Sequence, residues 1–401
     1  MGHIKAKGIM KIAYITGFDP LRYPRPLLFY KYLNAKIYRL RTIVGHYLKP
    51  IRSSPPSVDK PMRSKNITNL SVPKSFIDLY YNCKRIDNTI ITDALLYETL
   101  YKPYLEKIDN DILILLNLSG VISAKFLNKK KVIIDLMDLW TCENKRIHHN
   151  AIDFLALKKA DCVFAWSKAI LYYLKNIGIK CVKYLPFGID LSIFDPLKAD
   201  REIVYKKYPE LEDKIVVGYS GGFWFVNGED ATGVTKILLA FKKIEKKLDN
   251  VVLVLQTDNI IYRIANRLNI RNVIYVPQTR FNHPLRQALL RIMDVKFLTA
   301  SRYPAVYFIE RTTMFQYMAS GGAILAEKTP GNSGVLKHEI NAHLVKLNDI
   351  EGLAQALEKL IRDDGLRESL GRSARRDVEK YYNWDILSKV ARYYINEINE
   401  L

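Results

Sequence analysis

Two short segments carry the residue types best suited to chemistry. The first, Tyr219-Ser220-Gly221-Gly222, follows an apolar run and precedes a helical pattern. Paired glycines at such a junction let backbone N–H groups approach an anion, and the next helix adds the positive end of its dipole. The second runs from Phe308 to Ala326 and reads FIERTTMFQYMASGGAILA. Arg311, Thr312 and Thr313 stand there at a predicted helix start, where donors and dipole favour a phosphate. Gln316 follows one turn later, suited to hydrogen-bonding a sugar hydroxyl, and Gly321-Gly322 closes the helix before a strand. The plain structural alternative is a capped helix and an ordinary helix-to-strand turn. Two further clusters fit metal chemistry poorly. Asp109-Asn110-Asp111 precedes a strand, whereas metal-binding DxD pairs follow one, and His148-His149 has no partner at ligand spacing. No required metal and no resident cofactor are therefore expected.

The elements that must hold these residues alternate along the chain. Candidate strands are Lys11–Thr16, Ile112–Leu116, Val132–Leu136, Cys162–Trp166, Val182–Leu185, Ile215–Tyr219, Val251–Gln256, Val273–Val276, Val295–Thr299, Ala323–Ala326 and Leu344–Lys346. They are short, rich in Val, Ile and Leu, and little alternated, as strands covered on both faces are. Helical patterns lie between them at Asp93–Lys107, Ala151–Lys159, Lys168–Asn176, Thr235–Leu248, Ile260–Arg267, Pro284–Met293, Thr312–Ala319, Ile350–Arg362 and Leu366–Lys380. The predicted class is α/β, with two doubly wound, Rossmann-like domains facing across a cleft. The expected division is 10–188, then 189–383, with a final helix over 384–401 packing back on the first domain.

Bulk properties narrow the classes. The chain has 401 residues, 49% of them hydrophobic, enough for two cores. No window approaches the roughly 20 apolar residues of a membrane span. The start carries Lys5 and Lys7 without an apolar stretch, so a cytoplasmic protein is expected. Cys83, Cys142, Cys162 and Cys181 form no CxxC pair and read as free thiols, not as disulfides or a zinc site.

The net charge is +21, and no acid occurs from Pro20 to Val58. Over Leu27–Leu48, Phe29, Leu33, Ile37, Leu40, Val44 and Tyr47 recur at helical spacing while Lys31, Lys36, Arg39 and Arg41 mostly lie off that stripe. This reads as a crossover helix, or else as a peripheral contact of residues 20–58 with an anionic membrane surface. Nucleic acid is the less favoured anionic partner, since no zinc-finger or RNA-recognition spacing accompanies the charge.

YMASGGAILA, preceded by a polar helix start, resembles the signature of glycosyltransferase family 4 (group 1) and related retaining GT-B enzymes. Tyr184-Leu185-Pro186-Phe187-Gly188-Ile189-Asp190, with Phe194 and Pro196, resembles the family's interdomain motif. Ala160–Ser167, Val217–Gly222 and Leu366–Trp384 agree in order and spacing. The resemblance implies a GT-B fold and hexosyl transfer from a nucleoside-diphosphate sugar to a glycan, lipid-linked or protein acceptor, with retention and without metal.

It also implies roles for single residues. Gln316 takes the place of the second Glu of the family's paired-glutamate motif, which binds the donor ribose, and Phe308 takes that of the first. Glu310, two residues on, is then the candidate catalytic replacement. Gly221, Gly222, Arg311, Thr312 and Thr313 are the implied donor-binding set. Asp138 is the implied polar group near the donor sugar, or else a helix cap. Phe223 and Asn227 stand where the family carries Arg and Lys, and Arg280, Arg286 or Arg302 could supply the missing charge. These departures sustain a second reading, a catalytically impaired GT-B protein that binds nucleotide sugar or glycan.

Overall fold

The short Val, Ile and Leu runs become parallel strands because each is covered on both faces. All five residues of Ile112–Leu116, for example, are buried. The computed structural model describes residues 10–18, 20, 23–40, 67–70, 75–76, 78–79, 82–83, 90–129, 131–139, 142–143, 146–147, 151–226, 228–248 and 250–400. In the first half, β1 (Ile12–Thr16), β2 (Lys36–Leu40), β3 (Ile67–Leu70), β4 (Ile112–Leu116), β5 (Lys131–Leu136), β6 (Cys162–Ala165) and β7 (Val182–Tyr184) form a parallel sheet in the order β3-β2-β1-β4-β5-β6-β7. In the second, β8 (Ile215–Ser220), β9 (Val251–Gln256), β10 (Val273–Tyr275), β11 (Val295–Leu298), β12 (Ala323–Glu327) and β13 (His343–Val345) form another, in the order β10-β9-β8-β11-β12-β13. The strand order reverses between β1 and β4 and again between β8 and β11. Ligands of open parallel sheets bind beyond the carboxyl ends of strands at such switch points.

The flanking helices are α1 (Arg25–Leu33), α2 (Ile90–Leu105), α3 (Val121–Phe126), α4 (Ala151–Lys159), α5 (Lys168–Asn176), α6 (Val234–Ile244), α7 (Asn259–Arg267), α8 (Pro284–Ile292), α9 (Thr312–Ala319), α10 (Pro330–Val335), α11 (Ile350–Arg362), α12 (Asp364–Asp377) and α13 (Trp384–Glu400). Several begin where a side-chain oxygen accepts an amide that the helix leaves unpaired. Ser167 accepts from Ile170, Asp349 from Gly352 and Asp363 from Leu366.

Two expectations are corrected. The stripe over Leu27–Leu48 is not one helix. Asn34 takes a left-handed conformation with φ 56°, closing α1 at Leu33, and Ile37, Tyr38 and Leu40 enter the sheet as β2. Among the charges of residues 20–58, Arg25 is fully buried and the exposed Lys31 pairs with Asp190 at 2.7 Å. No single amphipathic helix therefore spans Leu27–Leu48; residues 41–58 of the acid-free run lie outside the described residues, as do His148, His149 and Asn227. The second concerns the thiols. Cys162, opening β6, is disulfide-bonded to Cys181, just before the neighbouring β7. Sequence spacing could not show that strand pairing sets their Cα atoms 4.7 Å apart. Cys83 forms no disulfide among the described residues.

The chain passes between the halves twice, and the two passages are bonded together. The Ile189 amide donates to the Tyr382 carbonyl at 2.8 Å, and the Trp384 amide to the Ile189 carbonyl at 2.9 Å. Gly188, with φ 63°, sits so close that a Cβ would lie 2.5 Å from the Tyr382 carbonyl oxygen. The indole N–H of Trp384 donates to Phe187, and α13 packs along α1.

Beneath this junction lies Arg25. Its Nε and Nη2 donate to the two Asp135 oxygens at 2.9 Å each, and Nη1 and Nη2 to the Pro186 and Leu185 carbonyls. Tyr14 and Trp166 also donate to Asp135, and the guanidinium lies over the rings of Phe29, Trp166 and Trp384. One fully paired cation thus ties β1, β5, β6, the linker and the final helix.

A second clasp is Glu310, which is 1% exposed. Its Oε1 accepts from the Lys168 amide at the start of α5, and its Oε2 from the Tyr184 hydroxyl at 2.5 Å. The Ser167 hydroxyl donates to the Phe308 carbonyl beside it. Burial pushes the Glu310 carboxyl up to about 7, against the lowering pull of these donors.

Two expected outcomes follow. Asp135→Asn leaves the Arg25 charge buried without its counter-ion and should cost about 3–5 kcal/mol in urea denaturation; an unchanged midpoint contradicts the role of that pair. For Glu310, the folded chain holds a proton between the ordinary carboxyl range and about 7 that the unfolded chain has lost. Its contribution is therefore full at low pH and is lost as pH rises through 7. Relative to Glu310→Gln, wild type should lose roughly 2 kcal/mol between pH 5 and pH 8. A difference that stays flat with pH refutes the buried-proton account.

Candidate functional site

The site is built around the turn that ends β8, at the switch point of the second sheet. Ser220 is fully buried there; its amide donates to the Tyr317 hydroxyl at 2.8 Å and its hydroxyl to Gln256 at 2.7 Å, at the end of neighbouring β9. The Tyr219 hydroxyl donates to the Gly222 carbonyl, and the Gln278 side chain to that of Gly221. Side chains crowd both glycines. A Cβ at Gly221 would lie 2.7 Å from the Tyr219 hydroxyl oxygen, and one at Gly222 would lie 3.2 Å from the Trp224 indole nitrogen. The Gly221 amide differs from expectation: it donates to the Gln256 carbonyl, prolonging the sheet ladder, and so does not face an anion.

Cationic side chains supply what that amide does not. Arg311, at the N-cap of α9, is 7% exposed and donates through Nη2 to the Thr299 carbonyl just beyond β11. Thr312 and Thr313 follow, half-buried, and no acid occupies the first turn of the helix. Arg286, in the first turn of α8, is 9% exposed; its Nη2 donates to Gln316 Oε1 at 2.8 Å and to the Ser220 carbonyl at 3.2 Å. Gln316 is 1% exposed. Tyr317 and Arg286 therefore bond α9 to the turn at Ser220, with Gln316 in the same network.

The electrostatics of this cluster are uneven. The Nε atoms of Arg286 and Arg311 are buried without a hydrogen-bond partner, and no described carboxylate forms an ion pair with either guanidinium. Burial pulls both guanidinium groups below their usual range. Glu327 and Asp230 act on Arg311 only from a distance, because each is held elsewhere. Glu327 binds Lys236 and the Ala300 and Asn348 amides, while Asp230 accepts from Thr232, Gly233 and Thr235.

The remaining predicted residues lie apart. Glu310 is turned to α5 and Tyr184, joining the halves and not lining the glycine turn. Asp138, 6% exposed, follows β5; the neighbouring strand β6 continues into Ser167 and Lys168, which receive Phe308 and Glu310. Asp109 and Asp111 both bind Lys11 at the start of the first sheet. Among the described residues no three His, Cys, Asp or Glu are grouped to hold a metal ion, and no helix is long and apolar enough to cross a membrane. Of the three arginines offered as compensating charge, Arg286 bonds to Gln316, Arg280 is half-buried and Arg302 is exposed. A signal for Arg286 was present: it lies three and four residues before Leu289 and Leu290, among the buried positions of α8.

Known proteins agree with this architecture. Residues 201–377 match the family described as Glycosyl transferases group 1. Over 284 residues the chain is 24% identical to the uncharacterized glycosyltransferase MJ1069 of Methanocaldococcus jannaschii, spanning 67% of this chain and 68% of that one. Among solved structures, sucrose-phosphate synthase from Thermosynechococcus elongatus superposes with a TM-score of 0.70 at 15% identity, covering 98% of this chain and 100% of that one. Anabaena HepE, solved in complex with UDP and glucose, gives 0.69 at 14% identity over 97% and 100%. With two parallel α/β sheets and a switch-point turn, the chain has the GT-B fold of these solved structures, and its residues 201–377 match the group 1 glycosyltransferase family.

Proposed function

We propose that the protein transfers a hexosyl group from a nucleoside-diphosphate sugar to a glycan, lipid-linked or protein acceptor, with retention and without metal. The observation that carries this reading is the pair of buried guanidinium groups, Arg286 and Arg311, set without carboxylate partners around the turn at Ser220–Gly222. A dianionic diphosphate supplies the countercharge such a cluster lacks. The start of α9 adds its dipole and the Thr312 and Thr313 hydroxyls. Gln316 meets the ribose, and Asp138 on the opposite strand end is the polar group for the sugar or acceptor.

The chemistry requires few groups of its own. As the glycosidic bond to the diphosphate breaks, negative charge grows on the leaving oxygens, and fixed cations stabilise it. A leaving phosphate oxygen can take the acceptor proton on the face of attack, so no separate protein nucleophile is needed. Glu310 acts here as a positioning residue, holding the two halves at the strand ends that carry Asp138. HepE, which shares the fold, has been solved in complex with UDP-glucose, which makes uridine diphosphate sugars the first donors to test.

Thermal melting against a panel of uridine, guanosine, adenosine and thymidine diphosphate sugars tests the proposal. At about a hundredfold over Kd, a donor should stabilise by roughly 2.7 kcal/mol and raise the melting temperature by several degrees. The same donor should release its nucleoside diphosphate in EDTA-containing buffer. Melting shifts without any donor turnover would favour a binding protein that has lost catalysis, and no shift with any donor would sink both readings.

A further inference from the structure

We propose that Arg286 is the residue that fixes the donor's diphosphate, and that Gln316 is its positioning residue. This rests on the nucleotide-sugar reading above and names how the same site recognises its ligand.

Both acceptors of Arg286 Nη2, Gln316 Oε1 at 2.8 Å and the Ser220 carbonyl at 3.2 Å, are neutral. Neither cancels its charge, and its buried Nε has no partner. A guanidinium enclosed in this way normally sits against a carboxylate, as Arg25 does against Asp135 in the other half. The tyrosine hydroxyls of Tyr317 and Tyr219 are the nearby groups that favour its charged form, against the opposing effect of burial. What the site lacks is an anion with several acceptor oxygens, and it lacks one at the carboxyl end of β8, beside a second cation in the same condition, Arg311.

The identity of residue 316 then acquires a physical meaning. A glutamate there would place a carboxylate at hydrogen-bond distance from Arg286, and the two would neutralise each other inside the protein. The amide of Gln316 has the same shape and offers one oxygen to orient the guanidinium, yet leaves its charge for the ligand. The amide NH2 remains as a donor, suited to a ribose oxygen. The structure thus assigns Gln316 the task of aiming Arg286 without neutralising it.

Calorimetric titration of the full chain with UDP and GDP, and with uridine and guanosine as controls, provides the test. Arg286→Met should weaken whichever diphosphate wild type binds by about ten- to a hundredfold, leaving the nucleoside within about twofold. Gln316→Glu should also weaken the diphosphate by about tenfold or more, because the new carboxylate pairs with Arg286. It needs no loss of side-chain volume, so it decides the matter if Arg286→Met fails to fold. Combining both substitutions should add little to Arg286→Met alone. The inference is overturned if Gln316→Glu binds diphosphate as well as or better than wild type, or if Arg286→Met lowers nucleoside and diphosphate affinity equally. If wild type binds neither diphosphate nor nucleoside, the donor reading itself fails. If wild type binds and the variants match it, only the assignment of Arg286 fails.

Discussion

A guanidinium taken out of water must find countercharge or destabilise the fold, and this protein meets that constraint in two different ways. Arg25 is fully enclosed and fully answered, with both oxygens of Asp135, two linker carbonyls and three aromatic faces around it. Arg286 and Arg311 are nearly as enclosed but hold only neutral acceptors. The first arrangement is architecture. The second stores an unmet electrostatic demand at the switch point of the second sheet, where a ligand of an open parallel sheet belongs. Natural cores rarely leave two cations in that state unless something outside the chain completes them.

The paired cation and the unmet ones are connected through the way the halves meet. Arg25 holds Leu185 and Pro186, and from there the chain runs through Phe187 and Gly188 into the second half. The returning strand of chain at Tyr382–Trp384 is bonded to the same crossing at Ile189. Glu310, two residues before Thr312, binds the amide that opens α5, so the segment leading into α9 is fixed from the first half. The segment leading into α9 is therefore held by contacts from both halves. The Glu310 carboxyl is buried within that arrangement.

Most of the fold was legible in the sequence, for a reason visible in particular elements. Runs such as ILILL at Ile112–Leu116 and VVLVLQ at Val251–Gln256 are apolar on both faces and have few alternatives to a covered parallel strand. What failed were elements whose identity depends on neighbours. Ile37, Tyr38 and Leu40 fit a helical stripe as well as a strand, and only the left-handed turn at Asn34 separates them from α1. Ile67–Leu70 is a sheet edge with exposed Thr68 and Asn69, so only Ile67 and Leu70 at its ends carry an apolar signal. The Cys162–Cys181 bond required knowing that β6 and β7 lie side by side. At the site, the glycine turn and the start of α9 were readable as motifs. Arg286 could be named only as one of three arginines, since its choice depends on which face of α8 meets Gln316.

A structure of the protein crystallised with the nucleoside diphosphate it binds tests the central claim most directly. The account places the diphosphate oxygens within hydrogen-bond distance of both the Arg286 and Arg311 guanidinium groups, beside the turn at Ser220–Gly222, with the ribose at Gln316. A nucleotide bound elsewhere, or one seated at this turn with both guanidinium groups still facing only Gln316, Ser220 and Thr299, would contradict it.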